Sequence, residues 1–181
     1  VKGIDIELPL MRMKYDDAMD KYGSDKPDLR FGMEIQDITE VFKDTEFTVF
    51  KNVINDGGII NAIVVKGVAD KYSRKDLDKL TEYVKTYRES GLDYLKYQEE
   101  VSGSIFKVMK EEEVTGVKET LGVENNDLVL IVSGAYKTVK VALGALRCKL
   151  ARDLELIKAG DYKLLWVTDF PSFEYSEEEG R

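Results

Sequence analysis

The sequence predicts an α+β fold, a sheet of about four to five strands covered by helices. Three observations predict it. Apolar and β-branched runs of strand length recur at Glu46–Lys51, Ile59–Lys66, Leu92–Gln98, Leu128–Ser133 and Lys163–Thr168. Between them lie segments whose apolar residues repeat every three or four positions, as on a helix with one buried face. A chain of 181 residues with 43% apolar content has enough material for an ordinary core.

In chain order, residues 1–35 read as irregular apart from one short helix. Tyr15, Ala18, Met19 and Tyr22 fall on one helical stripe, and Gly23 is placed to end it. Lys26 precedes Pro27, which pushes it out of the α region and makes Ser24–Pro27 a loop. The strands Glu46–Lys51 and Ile59–Lys66 are expected to form a hairpin through Asn55-Asp-Gly-Gly58. Ser73 is a candidate N-cap with Asp76 as its reciprocal carboxylate, and Leu77, Leu80, Val84 and Tyr87 carry a buried stripe towards Gly91. Leu92–Gln98 alternates like a strand. Short helices are expected at Ile105–Lys110 and at Glu111–Leu121, the second closed by Gly122. The unbroken apolar run Leu128–Ser133 suits a central strand, covered on both faces. A long amphipathic helix, Tyr136–Leu154, follows. Val139, Leu143, Leu146 and Leu150 lie along its buried face, with Lys137, Lys140, Arg147 and Arg152 on the other side. Lys163–Thr168 reads as the last strand, and the acidic end at 177–181 as a solvated terminus.

Composition excludes several function classes. The net charge of -8 argues against general binding to nucleic acid or anionic membranes, while leaving room for a local basic patch. The chain has no histidine, which removes Ser-His and Cys-His relays and most zinc sites. Cys148 is alone, so no disulfide forms within the chain; it reads as a small buried thiol, and a reducing, cytoplasmic home is expected. No signal peptide and no apolar run of membrane-spanning length is present, and the start at Val1 is read as the edge of an excised piece.

Several motifs bear on chemistry. Ser24, Asp25, Lys26, Asp28 and Arg30 crowd charge around a proline. Such a loop can hold a zwitterion or phosphate, or it is an ordinary mixed-charge surface loop. Glu99, Glu100 and Glu111–Glu113 lack calcium-loop spacing, and the carboxylates from Asp169 onward lack any spacing that demands magnesium. Gly57-Gly58 is not a phosphate loop, since no Gly-Lys-Ser/Thr follows. On the long helix, Lys137, Lys140, Arg147, Lys149 and Arg152 either touch a phosphate backbone or form the wet face of the helix. Tyr94 and Tyr97 flank Lys96 on a strand and are read as both facing away from it, to stack bases or fill the core. Spacing alone thus yields a fold class and no function.

Longer stretches add a resemblance. Arg12-Met-Lys-Tyr-Asp-Asp-Ala-Met19, then Tyr22-Gly-Ser-Asp-Lys-Pro-Asp-Leu-Arg-Phe31, resembles the segment that bacterial aspartyl-tRNA synthetases place after class II motif 2. Leu164-Leu-Trp-Val-Thr-Asp-Phe-Pro-Ser-Phe-Glu-Tyr175 resembles their re-entry into the catalytic core. The middle, with Gly57-Gly58, Ser73–Tyr83, Gly91-Leu92 and Ala142–Leu150, looks like the GAD insertion domain shared with the B subunit of glutamyl-tRNA amidotransferase. Departures are Met11 in place of a usual proline, Gly103-Ser-Ile-Phe-Lys107 in place of Ser-Pro-Ile-Ala-Lys, and Lys140-Val141 in place of Asn-Asp.

The resemblance implies three parts: catalytic-core flanks at 1–45 and 162–181, and a GAD domain at 46–161. It implies a parent that joins aspartate to its tRNA through aspartyl-adenylate, using ATP and magnesium, as a homodimer. It implies an insertion that acts as a mobile module near the tRNA acceptor arm, or alternatively as a structural or protein-binding spacer with no nucleic-acid role. The motif 2 and motif 3 arginines and the paired-histidine segment of that family are absent from this sequence. The fragment alone is therefore expected to be inactive, with no catalytic residue, metal ligand or cofactor of its own. Ser24, Asp25, Lys26, Asp28 and Arg30 are expected to face the substrate or the tRNA end, and Lys140 and Arg147 to be backbone contacts. The flanks, expected to expose strand edges, should pair with each other or with another copy.

Overall fold

The computed structural model describes residue 6, residues 8–87 and residues 91–173. The acidic run at 177–181 lies outside the described residues. Two strands organise the chain: β3 (Ile59–Val65) and β6 (Asp127–Gly134), paired antiparallel along their whole lengths. Both are largely apolar, with only Asn61 interrupting β3 and the run Leu128–Val132 unbroken in β6, because both of their faces are covered. β2 (Gln36–Asp37) pairs with β3, while β4 (Asp93–Tyr97) and then β5 (Val101–Gly103) extend the other side. The sheet order is β2-β3-β6-β4-β5, antiparallel throughout. The expected α+β class holds, with five strands in the main sheet.

Alternation sends successive side chains to opposite faces. Ile63, Val65, Leu128, Leu130 and Val132 meet α3 (Arg74–Lys85) and α5 (Tyr136–Asp153) through Leu77, Leu80, Leu143 and Leu146. Ile60, Ala62, Val64, Val129 and Ile131 meet the opposite layer, built from a 3₁₀ turn at Thr39–Phe42, α2 (Thr48–Asn55) and α4 (Glu111–Leu121). β2 and the 3₁₀ turn thus pack with the sheet although they precede residue 46. The capping box of α3 forms as expected: Asp76 N–H donates to Ser73 Oγ at 3.3 Å, and Ser73 N–H to the Asp76 carboxylate at 3.2 Å.

Outside this sandwich lies a second, parallel pair, β1 (Met11–Lys14) with β7 (Leu165–Thr168). The flanks therefore pair with each other, as expected. α1 (Tyr15–Tyr22) follows β1, and Met13, Ala18 and Tyr22 form a small core there with Leu29, Leu165 and Val167.

Four expectations are corrected. Glu46–Lys51 is not a strand but runs into helix α2, where Phe50 is buried edge-on between Phe42 and Phe47, each 4.9 Å away. Packing of that ring overrides the local β preference. The hairpin accordingly does not exist: Asn55–Gly58 is a helix exit, with Gly57 at φ 75° and Gly58 so close to β6 that a Cβ would lie 2.6 Å from the Gly134 carbonyl oxygen. Tyr94 and Tyr97 do not share a face. Tyr94 and Lys96 point towards α3 and α5, where Lys96 Nζ donates to the Tyr72 carbonyl, while Tyr97 points the other way with Leu95. The helix expected at Ile105–Lys110 shrinks to a 3₁₀ turn at Phe106–Val108, and β2 and β5 were not foreseen.

Candidate functional site

The charged loop leaves α1 at Gly23, whose left-handed φ of 65° lets its N–H reach the Met19 carbonyl at 3.0 Å. Only glycine fits this position, because a Cβ would fall 1.9 Å from the Lys140 carbonyl oxygen of α5. Its counterpart is Gly144, where a Cβ would lie 2.7 Å from the Tyr22 carbonyl oxygen. The backbones of α1 and α5 thus touch at a glycine pair.

Beyond Gly23 the loop is held by its own side chains. Ser24 Oγ accepts the Lys26 N–H at 3.1 Å. Asp28 takes a two-pronged bond from Arg30, Nε at 2.9 Å and Nη2 at 2.7 Å, and also accepts the Arg30 N–H at 3.1 Å. The Arg30 side chain holds the Asp28 carboxyl below its ordinary range. Lys26 stands in solvent, 3.8 Å from Asp25. Asp25, Lys26 and Pro27 form one wall of a cleft of about 440 Å³, and Lys163, Leu164, Leu165, Val167 and Phe170 form the other. The structure therefore brings the loop and the β7 flank together, as two sides of one open groove.

Beneath the loop sits Arg147, with 0% of its surface exposed. Its Nε donates to the Met33 carbonyl at 3.1 Å, and Nη2 to the carbonyls of Asp28, at 2.9 Å, and of Gly32. Gly32 and Met33 both take positive φ, 63° and 58°, in the turn that supplies two of these carbonyls. The guanidinium lies between the rings of Tyr22 and Phe31, 4.9 and 4.4 Å from their centroids. Burial draws its pKa below the usual arginine value. Burial, then a 2.8 Å bond to Glu34, pushes Tyr22 up to about 12. One turn and more away, Lys140 is 1% exposed; its Nζ donates to the Asp20 carbonyl at 2.8 Å and pairs with the Asp20 carboxylate.

The expected wet basic face is thereby corrected for Lys140 and Arg147. Both are buried, and both fasten the α1 segment to α5. Lys140, Gly144, Arg147 and Ala151 fall at i, i+4, i+7 and i+11, and all four are buried, a second packed stripe on α5 that includes two charges. Gly144 within that stripe was the readable sign of a close neighbour. Cys148 is only half-buried. Among the described residues no three carboxylate or thiol groups converge to hold a metal ion, and no helix is long and apolar enough to cross a membrane.

Residues 50–143 match the GAD domain family. The aspartate–tRNA(Asp/Asn) ligase of Anoxybacillus flavithermus is 51% identical over 99% of this chain, which covers 31% of that protein. The aspartate–tRNA ligases of Lysinibacillus sphaericus and Clostridium botulinum (strain Eklund 17B) are 48% and 50% identical over 100% of the chain, covering 31% and 30% of theirs. The chain thus spans about a third of the length of the curated relatives it matches. A hypothetical protein from Pyrococcus horikoshii OT3 aligns over 56% of this chain and 58% of its own, with a TM-score of 0.38 and 21% identity. The GAD match, with roughly half-identical ligases running through both flanks, means that this chain belongs to the GAD-domain family, in the form found within aspartate–tRNA ligases.

Proposed function

We propose that this chain works as part of a longer aspartate–tRNA ligase, in which the loop Ser24–Arg30 faces the substrate or the tRNA end. The reading is carried by 51% identity to such a ligase along 99% of the chain, flanks included. The parent reaction condenses aspartate with ATP to aspartyl-adenylate, releasing pyrophosphate, and then passes the aspartyl group to the terminal adenosine of tRNA. ATP and magnesium would be held by parent residues outside this chain. Ser24, Asp25, Lys26, Asp28 and Arg30 serve as a positioning element: Lys26 offers an unburied ammonium to an anion, and the Asp28–Arg30 fork keeps the loop in shape. By itself the chain is read as inactive, because the family's motif 2 and motif 3 arginines, which stabilise charge developing at the α-phosphate, are absent from its sequence. The parent is a cytoplasmic homodimer on this reading.

For the five-stranded unit, one observation favours the spacer reading over a tRNA contact. Its two best-placed cations, Lys140 and Arg147, are spent on carbonyls and on Asp20 inside the chain. The unit then braces the loop rather than gripping phosphate.

The test is aspartylation by the full-length ligase with Lys26→Ala. A fall in kcat/KM of about tenfold or more, with an unchanged melting curve, is expected. Unaltered kinetics would remove the loop from the site. In filter binding at low salt, the isolated chain should not retain tRNA, and salt-sensitive retention would restore the tRNA-contact role.

A further inference from the structure

We propose that the open edge of β5, with the apolar groove beside it, docks an extended basic segment of another protein. The inference does not depend on the ligase reading. β5 is the last strand in the sheet order and pairs only with β4 among the described residues. Ser104 N–H donates to the Tyr94 carbonyl at 3.1 Å, so the alternation of an antiparallel ladder turns the backbone groups of Ser102 towards β4. The N–H and C=O groups of Val101 and Gly103 then face outward. Neither lysine nor proline, the usual guards of an exposed edge, lies on the strand.

Next to this edge, Val101, Phe106, Met109 and Val114 line a groove of about 540 Å³, with Glu100 and Glu111 at its rim. Phe106 is 37% exposed there. Glu99 and Glu112 add two further exposed carboxylates, and among the described residues none of these four acids pairs with a cation. Lys110 is already held by the Asp44 carbonyl and by Glu46, which leaves Lys107 as the nearby counter-charge. An unpaired strand edge calls for an extended partner rather than a helix. The apolar groove calls for alternate apolar side chains, and the acidic rim for basic ones between them. A second copy of this chain fits poorly, because its net charge is -8.

The experiment titrates the isotope-labelled chain with a synthetic heptapeptide of alternating lysine and valine, followed by amide NMR shifts. Two control peptides carry glutamate for lysine, or a central proline. The lysine peptide should bind about tenfold tighter than either control, with shifts confined to residues 99–114. Glu100→Lys combined with Glu111→Lys should weaken binding about tenfold while the β3 and β6 amides keep their positions, which separates lost docking from lost fold. Phe106→Asp should do the same through the groove. Equal binding of all three peptides, no binding at about 1 mM, or shifts centred elsewhere would overturn the proposal.

Discussion

The five-stranded sheet and the β1–β7 pair both carry apolar strand residues yet end in opposite situations. Every residue from Leu128 to Val132 is buried to 1% exposure or less, because helices cover both faces of β6. On the smaller pair Trp166 is 61% exposed and Met11 56%, with Leu164 and Phe170 also open. The first region completes its own core. The second presents strand edges and exposed apolar side chains, features that suit contact with further neighbours. Between the two stands α5, which packs on the sheet with one stripe and grips α1 and its loop with another.

The grip gives the largest expected effect. Arg147→Met would leave the carbonyls of Asp28, Gly32 and Met33 without their donor and cost about 3–4 kcal/mol in urea unfolding. Arg147→Lys should recover only part, since one ammonium cannot reproduce the planar fork or its stacking between Tyr22 and Phe31. A loss under about 1 kcal/mol for Arg147→Met would mean that the two regions are not fastened there.

Truncations sharpen the contrast directly. Leu130→Ala in β6 should cost about 3 kcal/mol, and Trp166→Ala in β7 less than about 0.5 kcal/mol, by the same unfolding measurement. Similar costs at the two sites would erase the distinction between a sealed and an open sheet.

Alkali should act on the grip through Tyr22. Tyr22 has its folded pKa raised to about 12 from 10.0. The stability that shift contributes is complete below pH 10 and is lost as pH rises through the folded value. Exchange of the loop amides 24–34 should therefore quicken across that window in the wild type and show no such step in Tyr22→Phe. Acid acts on both regions, through Asp28 in the loop and Asp127 at the start of β6. Burial would raise Asp127, but bonds from Lys66 and from the N–H groups of Glu124 and Gly67 outweigh it and keep its pKa low. Its contribution is present above the ordinary carboxylate value and fades as pH falls through the lowered one.

Features fixed by neighbours in sequence were the legible ones. The Ser73–Asp76 box, the Gly23 and Gly122 helix ends and the central run of β6 follow from residues within a few positions. β2 and β5 were not legible, because two or three residues carry no periodicity and take their state from the register of β3 and β4. α2 was misread because Val49 and Phe50 favour strands locally, while Phe42 and Phe47 hold the ring in a helix. At the candidate site the loop was recognisable from its own charges. Its support was not: Arg147 lies 119 positions from Asp28, and a cation on an amphipathic helix reads as solvated until its burial is known.

Native-state hydrogen exchange on this chain tests the central contrast most directly. The β3 and β6 amides should exchange only through global unfolding, and those of Met11–Lys14 and Leu165–Thr168 at least about 100-fold faster. Equal protection of the two sheets would contradict the account, for the smaller pair would then be as complete as the larger.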